Sequence, residues 1–188
     1  RAIRKTDMKF ITTFHHQWLY AWYPTLDEST DASNPEYSDL YGPPAPVSHF
    51  QGVWDDSLSR GYGILADSSM RPHKEFQERW ISRLKEVIDN YQPDLIYFDN
   101  KMHIIDTDYR LDFLQYYYNK SVTWDKEVLV SYKFNDLEDG AGVLDLERAR
   151  MRETKKFPWL TDDSVDWGSW CNVKNTDYKS TNRIIDFM

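Results

Sequence analysis

The stretch from residue 73 to residue 99 constrains the fold more than any other part of the sequence. Apolar side chains recur along it with the spacing of an amphipathic helix, beginning with Phe76, Trp80 and Leu84. The chain then enters Leu-Ile-Tyr-Phe, a run that is apolar on both faces and that is followed by Asp99. Such a run is typical of a buried parallel strand, with the acid at its C-terminal end. A helix that leads directly into such a strand predicts an α/β protein.

The rest of the chain continues this alternation of helices and strands. Residues 23–70 are the exception: they lack periodicity and are rich in Gly and Pro, which predicts a long loop insertion that shapes a site. A surface insertion without a function is the alternative. The other predicted elements are a helix end at 1–7, a strand at 8–14, a helix at 109–119, strands at 127–132 and 142–147, an aromatic-rich segment at 158–173 and a helix from Ser180.

Two parallel architectures fit this order, a doubly wound sheet and a (β/α)8 TIM-type barrel. The sequence contains no Gly-x-Gly-x-x-Gly motif and no Walker-type loop, so the nucleotide-binding version loses its main support. We therefore expect residues 1–188 to be part of a single catalytic barrel domain. Because the chain starts without Met and stops within an apolar pattern at 184–188, we expect an incomplete barrel with only the later strands.

Composition narrows the function classes. A net charge of −8 argues against a nucleic-acid or anionic-membrane partner, and no apolar run has the ~20 residues of a membrane-spanning helix. His-x-His and His-Glu-x-x-His spacings are absent, so we expect no metal and no other cofactor. Aromatic residues make up 16% of the chain, which favours a carbohydrate site, although a large aromatic core would give the same composition.

In a barrel, catalytic groups project from the C-terminal ends of the strands. Carboxylates dominate at the predicted strand ends, and two of them around an aromatic pocket are what glycoside hydrolysis requires. The polar residues at these ends are His15, His16 and Trp18, then Asp99, then Tyr132 and Lys133, then Glu147, and finally Asp162 or Asp163.

Several segments resemble glycoside hydrolase family 29 α-L-fucosidases. Residues 73–101 resemble the segment in which a helix leads into the strand that carries the catalytic nucleophile. Four other segments resemble one bacterial branch of that family in the expected order: Asp31-Ala-Ser-Asn-Pro, Tyr116-Tyr-Tyr-Asn, Val143-Leu-Asp-Leu-Glu-Arg, and Pro158-Trp-Leu-Thr-Asp-Asp-Ser-Val with Ser169-Trp. The ordered set covers nearly the whole chain.

The resemblance implies a retaining exo-glycosidase that removes terminal α-L-fucose from a fucosylated oligosaccharide or glycoconjugate. The nucleophile of the family corresponds to Asp99, which would form a covalent glycosyl-enzyme. A partner carboxyl, the acid/base, should then lie ~5–5.5 Å away, with a pKa high enough to deliver a proton.

The resemblance does not identify the acid/base residue directly. Many family members carry the acid/base Glu directly after the Trp of the Pro-Trp segment, and here Leu160 occupies that position. Glu147 is our candidate, and Glu138 is the second choice. The alternative role for Glu147 is a salt bridge to Arg148 or Arg150 that lines the site without catalysing.

We expect His16 rather than His15 to reach the pocket, with Trp18 and Trp22 as its walls. The preceding residues resemble the strand after the one that carries the His-His pair of the family, so that pair is not matched by this one. Tyr132 and Trp159 complete the substrate-binding candidates.

Two other functions stay open at this point. Leu160 would suit a catalytically silent carbohydrate-binding relative, and a retaining glycosidase that acts on another sugar would show the same carboxylates. We expect a periplasmic or secreted bacterial enzyme. The sequence leaves the formation of a homo-oligomer undecided.

Overall fold

The computed structural model describes residues 2–20, 22–23, 25–42, 71–154 and 156–186. This part of the chain forms five strands and four α-helices, joined by loops and short 3₁₀ helices. None of these helices is both long enough and apolar enough to cross a bilayer. In chain order the elements are β1 Ile11–Phe14, α1 Ser38–Tyr41, α2 Lys74–Tyr91, β2 Leu95–Phe98, α3 Thr107–Thr123, β3 Leu129–Lys133, β4 Val143–Glu147, β5 Trp159–Asp162 and α4 Thr181–Ile185.

The five strands form one sheet in the order β1-β2-β3-β4-β5, and every neighbouring pair is parallel. The prediction of an α/β protein with a parallel sheet is therefore confirmed. Each new strand is added to the same edge, without the reversal of strand order that defines a doubly wound sheet. This order is consistent with part of a (β/α) barrel.

The predicted elements agree with the structure most closely between residues 73 and 99. Helix α2 and strand β2 lie where the pattern put them, whereas α3 extends beyond the predicted 109–119 at both ends. Strand β5 was not predicted, because its segment was identified only as aromatic-rich. Within the predicted insertion at 23–70, the described residues up to 42 form short helices, and 43–70 lie outside the described residues.

Helices α2 and α3 pack against one side of the sheet, which we call the helix face. Trp80 of α2, Phe98 of β2 and Phe113 of α3 are fully buried, and each ring contacts the other two at centroid distances of 5.3 to 6.1 Å. Such aromatic contacts add to the free energy gained from burying apolar area. The strand residues of this face are Phe14, Ile96, Phe98, Val130 and Tyr132.

The helix face is less covered at β4 and β5. Residues 134–142, which join β3 to β4, contain no helix, and the described residues between β4 and β5 contain none either. A cavity of about 390 Å³ lies here, lined by Tyr132, Leu144, Phe157 and Trp159 among others. The core is therefore concentrated at the first three strands.

Candidate active site

The opposite side of the sheet, which we call the polar face, carries the ionisable residues. Lys133 pairs with Asp145 across β3 and β4, and Glu147 pairs with Asp162 across β4 and β5. Paired residues of parallel strands point to the same face, and alternate residues of one strand do so too. The strand register therefore gathers these four side chains at the C-terminal end of the sheet, next to Asp99, which follows β2.

The ammonium of Lys133 is the centre of this group. Its Nζ lies 3.0 Å from Asp99 Oδ1, 2.8 Å from Glu147 Oε2 and 3.4 Å from Asp162 Oδ2. The oxygens of Asp99 and Glu147 are therefore at most 5.8 Å apart, the sum of the first two distances. By the same reasoning those of Asp99 and Asp162 are at most 6.4 Å apart. Both limits include the ~5–5.5 Å between the two carboxyls of a retaining glycosidase.

Lys133 remains protonated in this setting. Its side chain is only 4% exposed, and this burial alone would lower its pKa. Hydrogen bonds from the ammonium to Glu147 and Asp99 outweigh burial, so the pKa of Lys133 is raised above its ordinary value. A permanent positive charge therefore stands between the carboxyl groups.

Asp162 differs from the other carboxyls around Lys133. Burial, followed by the nearby charge of Asp145, raises the pKa of Asp162. Its Oδ1 atom is buried and has no hydrogen-bond donor among the described residues. Asp145 lies deeper on the same face, where it accepts a hydrogen bond of 2.6 Å from the Tyr97 hydroxyl. These features favour the protonated form of Asp162.

The backbone that follows β2 is held by hydrogen bonds from the 3₁₀ helix His16–Leu19, which follows β1. Residues Asn100 and Lys101 both have left-handed backbone angles, with φ of 62° and 67°. The side chain of Gln17 donates to the Asn100 carbonyl at 2.9 Å, and the indole of Trp18 donates to the carbonyl of Asp99. Trp18 therefore helps to fix the backbone that carries Asp99. Its role as a sugar-binding wall stays a prediction.

Lys101 adds to these contacts. Its ammonium donates to the Tyr20 carbonyl at 3.1 Å and lies 5.0 Å from the centre of the Trp18 ring. Burial lowers the pKa of Lys101 to about 8. Trp22 packs edge-on against Trp18 at 5.6 Å, so both predicted tryptophans lie beside the turn that follows Asp99.

The expectation for the two histidines needs correction. His16 is 9% exposed and stacks on Phe76 of α2 at 5.2 Å, on the helix side of the sheet. Burial, followed by the charges of Arg83 and Arg79, lowers the pKa of His16 to about 4. It is His15 that reaches the site, with Nε2 at 3.5 Å from Asp99 Oδ2.

Two other predicted substrate-binding residues lie on the helix face. Tyr132 is 1% exposed and belongs to the hydrophobic core, because it precedes Lys133 and therefore points to the opposite side of β3. Trp159 pairs with Leu144 and, together with Tyr132, lines the cavity described above. We therefore remove Tyr132 and Trp159 from the candidate site.

The contacts of Glu147 do not match the salt bridge to Arg148 or Arg150 that we considered as its alternative role. Glu147 contacts Lys133, whereas Arg148 lies 3.8 Å from Asp163 and Arg150 donates to the carbonyl of Asp186. Glu138 is exposed in the loop after β3. Leu160 lies on the polar face opposite Asp145 and is 43% exposed.

Sequence patterns bear on His15, Lys133 and Asp162, three site residues that were not among the predicted catalytic and substrate-binding residues. Phe14 is an apolar residue of the helix face, so continued alternation along the chain assigns the next residue, His15, to the polar face. Lys133 and Asp162 were both among the strand-end candidates. Neither could be preferred without the exact last residue of β3 and the presence of β5.

The fold and the site together define a class. A parallel α/β sheet that presents several carboxyl groups at the C-terminal ends of its strands has the arrangement used by many glycoside hydrolases. A comparison with models of protein families identifies the family. The model for Alpha-L-fucosidase matches residues 1–188, and the chain belongs to this family. No curated protein matches the chain.

Proposed function

We propose that this protein is a retaining exo-acting α-L-fucosidase in which Asp99 is the nucleophile. Membership of the family supports a glycoside hydrolase that acts on fucosylated glycans. The observation that carries the mechanistic part is that Lys133 brings two further carboxyl groups close to Asp99: the oxygens of Glu147 and Asp162 lie at most 5.8 and 6.4 Å from Asp99 Oδ1. Both limits allow the separation of ~5–5.5 Å that retention requires.

The surroundings of Asp99 suit a nucleophile. Its side chain is 37% exposed, so a sugar ring can approach it, and the Lys133 ammonium lies 3.0 Å from one oxygen. His15 lies near the other oxygen at 3.5 Å. The contact with Lys133 orients the Asp99 carboxyl group for attack on the anomeric carbon.

We further propose that additional strands complete a (β/α)8 barrel around this site. The polar face carries exposed apolar residues as well as the acids, among them Ile11, Leu129 and Leu160. In a closed barrel this face is the interior and such side chains fill it. Strands β1 and β5 each have only one neighbour among the described strands, which leaves two edges for further pairing.

The test is hydrolysis of an aryl α-L-fucoside by the intact gene product and by its Asp99→Asn variant. We expect turnover by the parent and a loss of roughly 10⁴-fold or more in kcat/KM for the variant, because no covalent intermediate forms. The matched control is Asp163→Asn, which changes a neighbouring acid outside the Lys133 contacts.

Two results would contradict the proposal in different ways. Full activity of Asp99→Asn would remove Asp99 as the nucleophile. Fucose binding by the parent without turnover would favour a catalytically silent carbohydrate-binding relative. The observation behind this alternative is that Leu160, an apolar residue, lies on the polar face. A panel of aryl glycosides checks the choice of sugar.

A further inference from the structure

We infer that Asp162, rather than Glu147, is the group that protonates the leaving oxygen in the proposed reaction. This inference rests on the proposed function. Asp162 ends β5 on the polar face, at the same level as Glu147, to which it is paired. Its Oδ2 and the Oδ1 of Asp99 contact the same ammonium at 3.4 and 3.0 Å, so Asp162 is close enough to act with the nucleophile.

The two candidate acids differ in their contacts with Lys133. Glu147 Oε2 lies 2.8 Å from the ammonium, a normal length for a charge-assisted hydrogen bond to a carboxylate. Asp162 Oδ2 lies farther away at 3.4 Å, so it receives less of the same positive charge. Glu147 is therefore held more closely by the positive charge, and Asp162 is the better placed of the two to carry a proton.

The immediate surroundings of Asp162 point the same way. Its other oxygen, Oδ1, is buried without a donor in the described part of the chain, a position that costs free energy for a carboxylate and little for a carboxylic acid. The charged groups that act most strongly on Asp162 are Lys133 of β3 and the two acids of β4, Asp145 and Glu147, so among these the negative groups outnumber the positive one. The raised pKa of Asp162 agrees with this balance.

The proposed reaction has two steps, in which Asp99 forms and loses one ester bond and Asp162 loses and regains one proton. In the first step an Asp99 oxygen bonds to the anomeric carbon, the bond from that carbon to the leaving oxygen breaks, and the Asp162 proton moves to that oxygen. In the second step Asp162 takes a proton from water, the water oxygen bonds to the anomeric carbon, and the Asp99 ester breaks. Fucose is released, and both side chains return to their first states. Rotation about χ2 of Asp162 exchanges its two oxygens, so either one can carry the proton.

Glu147 then has a positioning role. With its oxygen 2.8 Å from Nζ, it holds the Lys133 ammonium in place beside Asp99. Replacement of Glu147 should disturb this positioning for all substrates alike, because protonation of the leaving group does not depend on it.

The test compares leaving groups in Asp162→Asn and Glu147→Gln variants of the intact gene product. For Asp162→Asn we expect kcat/KM for phenyl α-L-fucoside to fall about 10²- to 10⁴-fold, the usual contribution of a general acid. The fall for 2,4-dinitrophenyl α-L-fucoside, whose leaving group needs no proton, should be no more than about 10-fold. Glu147→Gln should lower both substrates by a similar factor.

Azide provides a second readout that a structural defect would not produce. In Asp162→Asn, azide should accelerate breakdown of the glycosyl-enzyme and give α-L-fucosyl azide, because the small anion enters where the missing base would activate water. If Glu147→Gln shows the leaving-group dependence and yields this azide, the inference is overturned. This result stands even if Asp162→Asn fails to fold.

The nucleophile variant separates this inference from the function on which it rests. In Asp99→Asn, azide should give the inverted product, β-L-fucosyl azide, because no covalent intermediate precedes its attack. An inverted product from Asp99→Asn together with acid behaviour of Glu147→Gln would keep the proposed function and refute only the assignment to Asp162.

Discussion

The two faces of the sheet are built from the same five strands and serve different purposes. On the helix face Phe98 and Tyr132 are fully buried among aromatic and aliphatic side chains. On the polar face the next residues along the chain, Asp99 and Lys133, form an ion pair at 3.0 Å. Adjacent residues thus belong to the hydrophobic core and to the candidate site, respectively, because strand side chains alternate between the faces.

This contrast teaches that sequence proximity is a poor guide to function in this chain. A substitution on the helix face should change the free energy of unfolding, and one on the polar face should change the rate.

Trp80→Ala tests the helix face. Trp80 is fully buried between Phe98 and Phe113, so we expect the free energy of unfolding to fall by about 3–5 kcal/mol. Urea denaturation measures the change, and Leu111→Ala, at a position 56% exposed on α3, is the control, with a change within about 0.5 kcal/mol. Equal losses in the two variants would contradict the location of the core.

Lys133→Met tests the polar face. The variant keeps the apolar stem and removes the ammonium that contacts Asp99 and Glu147, so we expect kcat/KM for an aryl α-L-fucoside to fall on the order of 10²- to 10³-fold. Tyr132→Phe is the matched control from the adjacent position on the helix face and should change the rate by no more than about twofold. If Tyr132→Phe lost as much activity as Lys133→Met, the assignment of the two faces would be wrong.

The pH dependence of stability distinguishes His16, on the helix face, from His15, on the polar face. The pKa of buried His16 is about 4 in the folded protein, below its ordinary value of 6.5, so the unfolded chain binds the proton more readily. Stability from His16 is therefore complete above pH 6.5 and is lost as the pH falls towards 4, a loss on the order of 1–3 kcal/mol after allowance for solvent screening.

The measurement is the free energy of unfolding between pH 7.5 and 4.5 for the parent protein and for His16→Gln. The variant should show a weaker pH dependence, whereas His15→Gln should follow the parent in stability and differ from it in rate. A steeper dependence in His16→Gln than in the parent would exclude a buried neutral His16.

The parts of the fold that sequence predicts well are those with a repeated pattern. Helix α2 and strand β2 follow from long periodic runs, and the position of Asp99 follows from where the second run ends. Strand β5 has the sequence Trp-Leu-Thr-Asp, which neither alternates cleanly nor forms an apolar run, so pairing with β4 rather than local pattern determines it.

The site is harder to predict because its composition depends on single-residue boundaries. The predicted third strand ended at 132, whereas β3 ends at Lys133, so the prediction chose Tyr132, which alternation places on the helix face, instead of Lys133 on the polar face. The choice between His15 and His16 had the same origin. The 3₁₀ turn that starts at His16 directs that side chain to α2, and no local pattern indicated where alternation stops.

The left-handed pair Asn100 and Lys101 also bears on how this protein could be engineered. Asn adopts that conformation more readily than Lys does, so glycine would relax the folded backbone mainly at position 101. It would also make the unfolded chain more flexible and loosen the segment that holds Asp99 against Trp18. Because the two effects on stability oppose each other, glycine at these positions should change turnover more than it changes thermal stability.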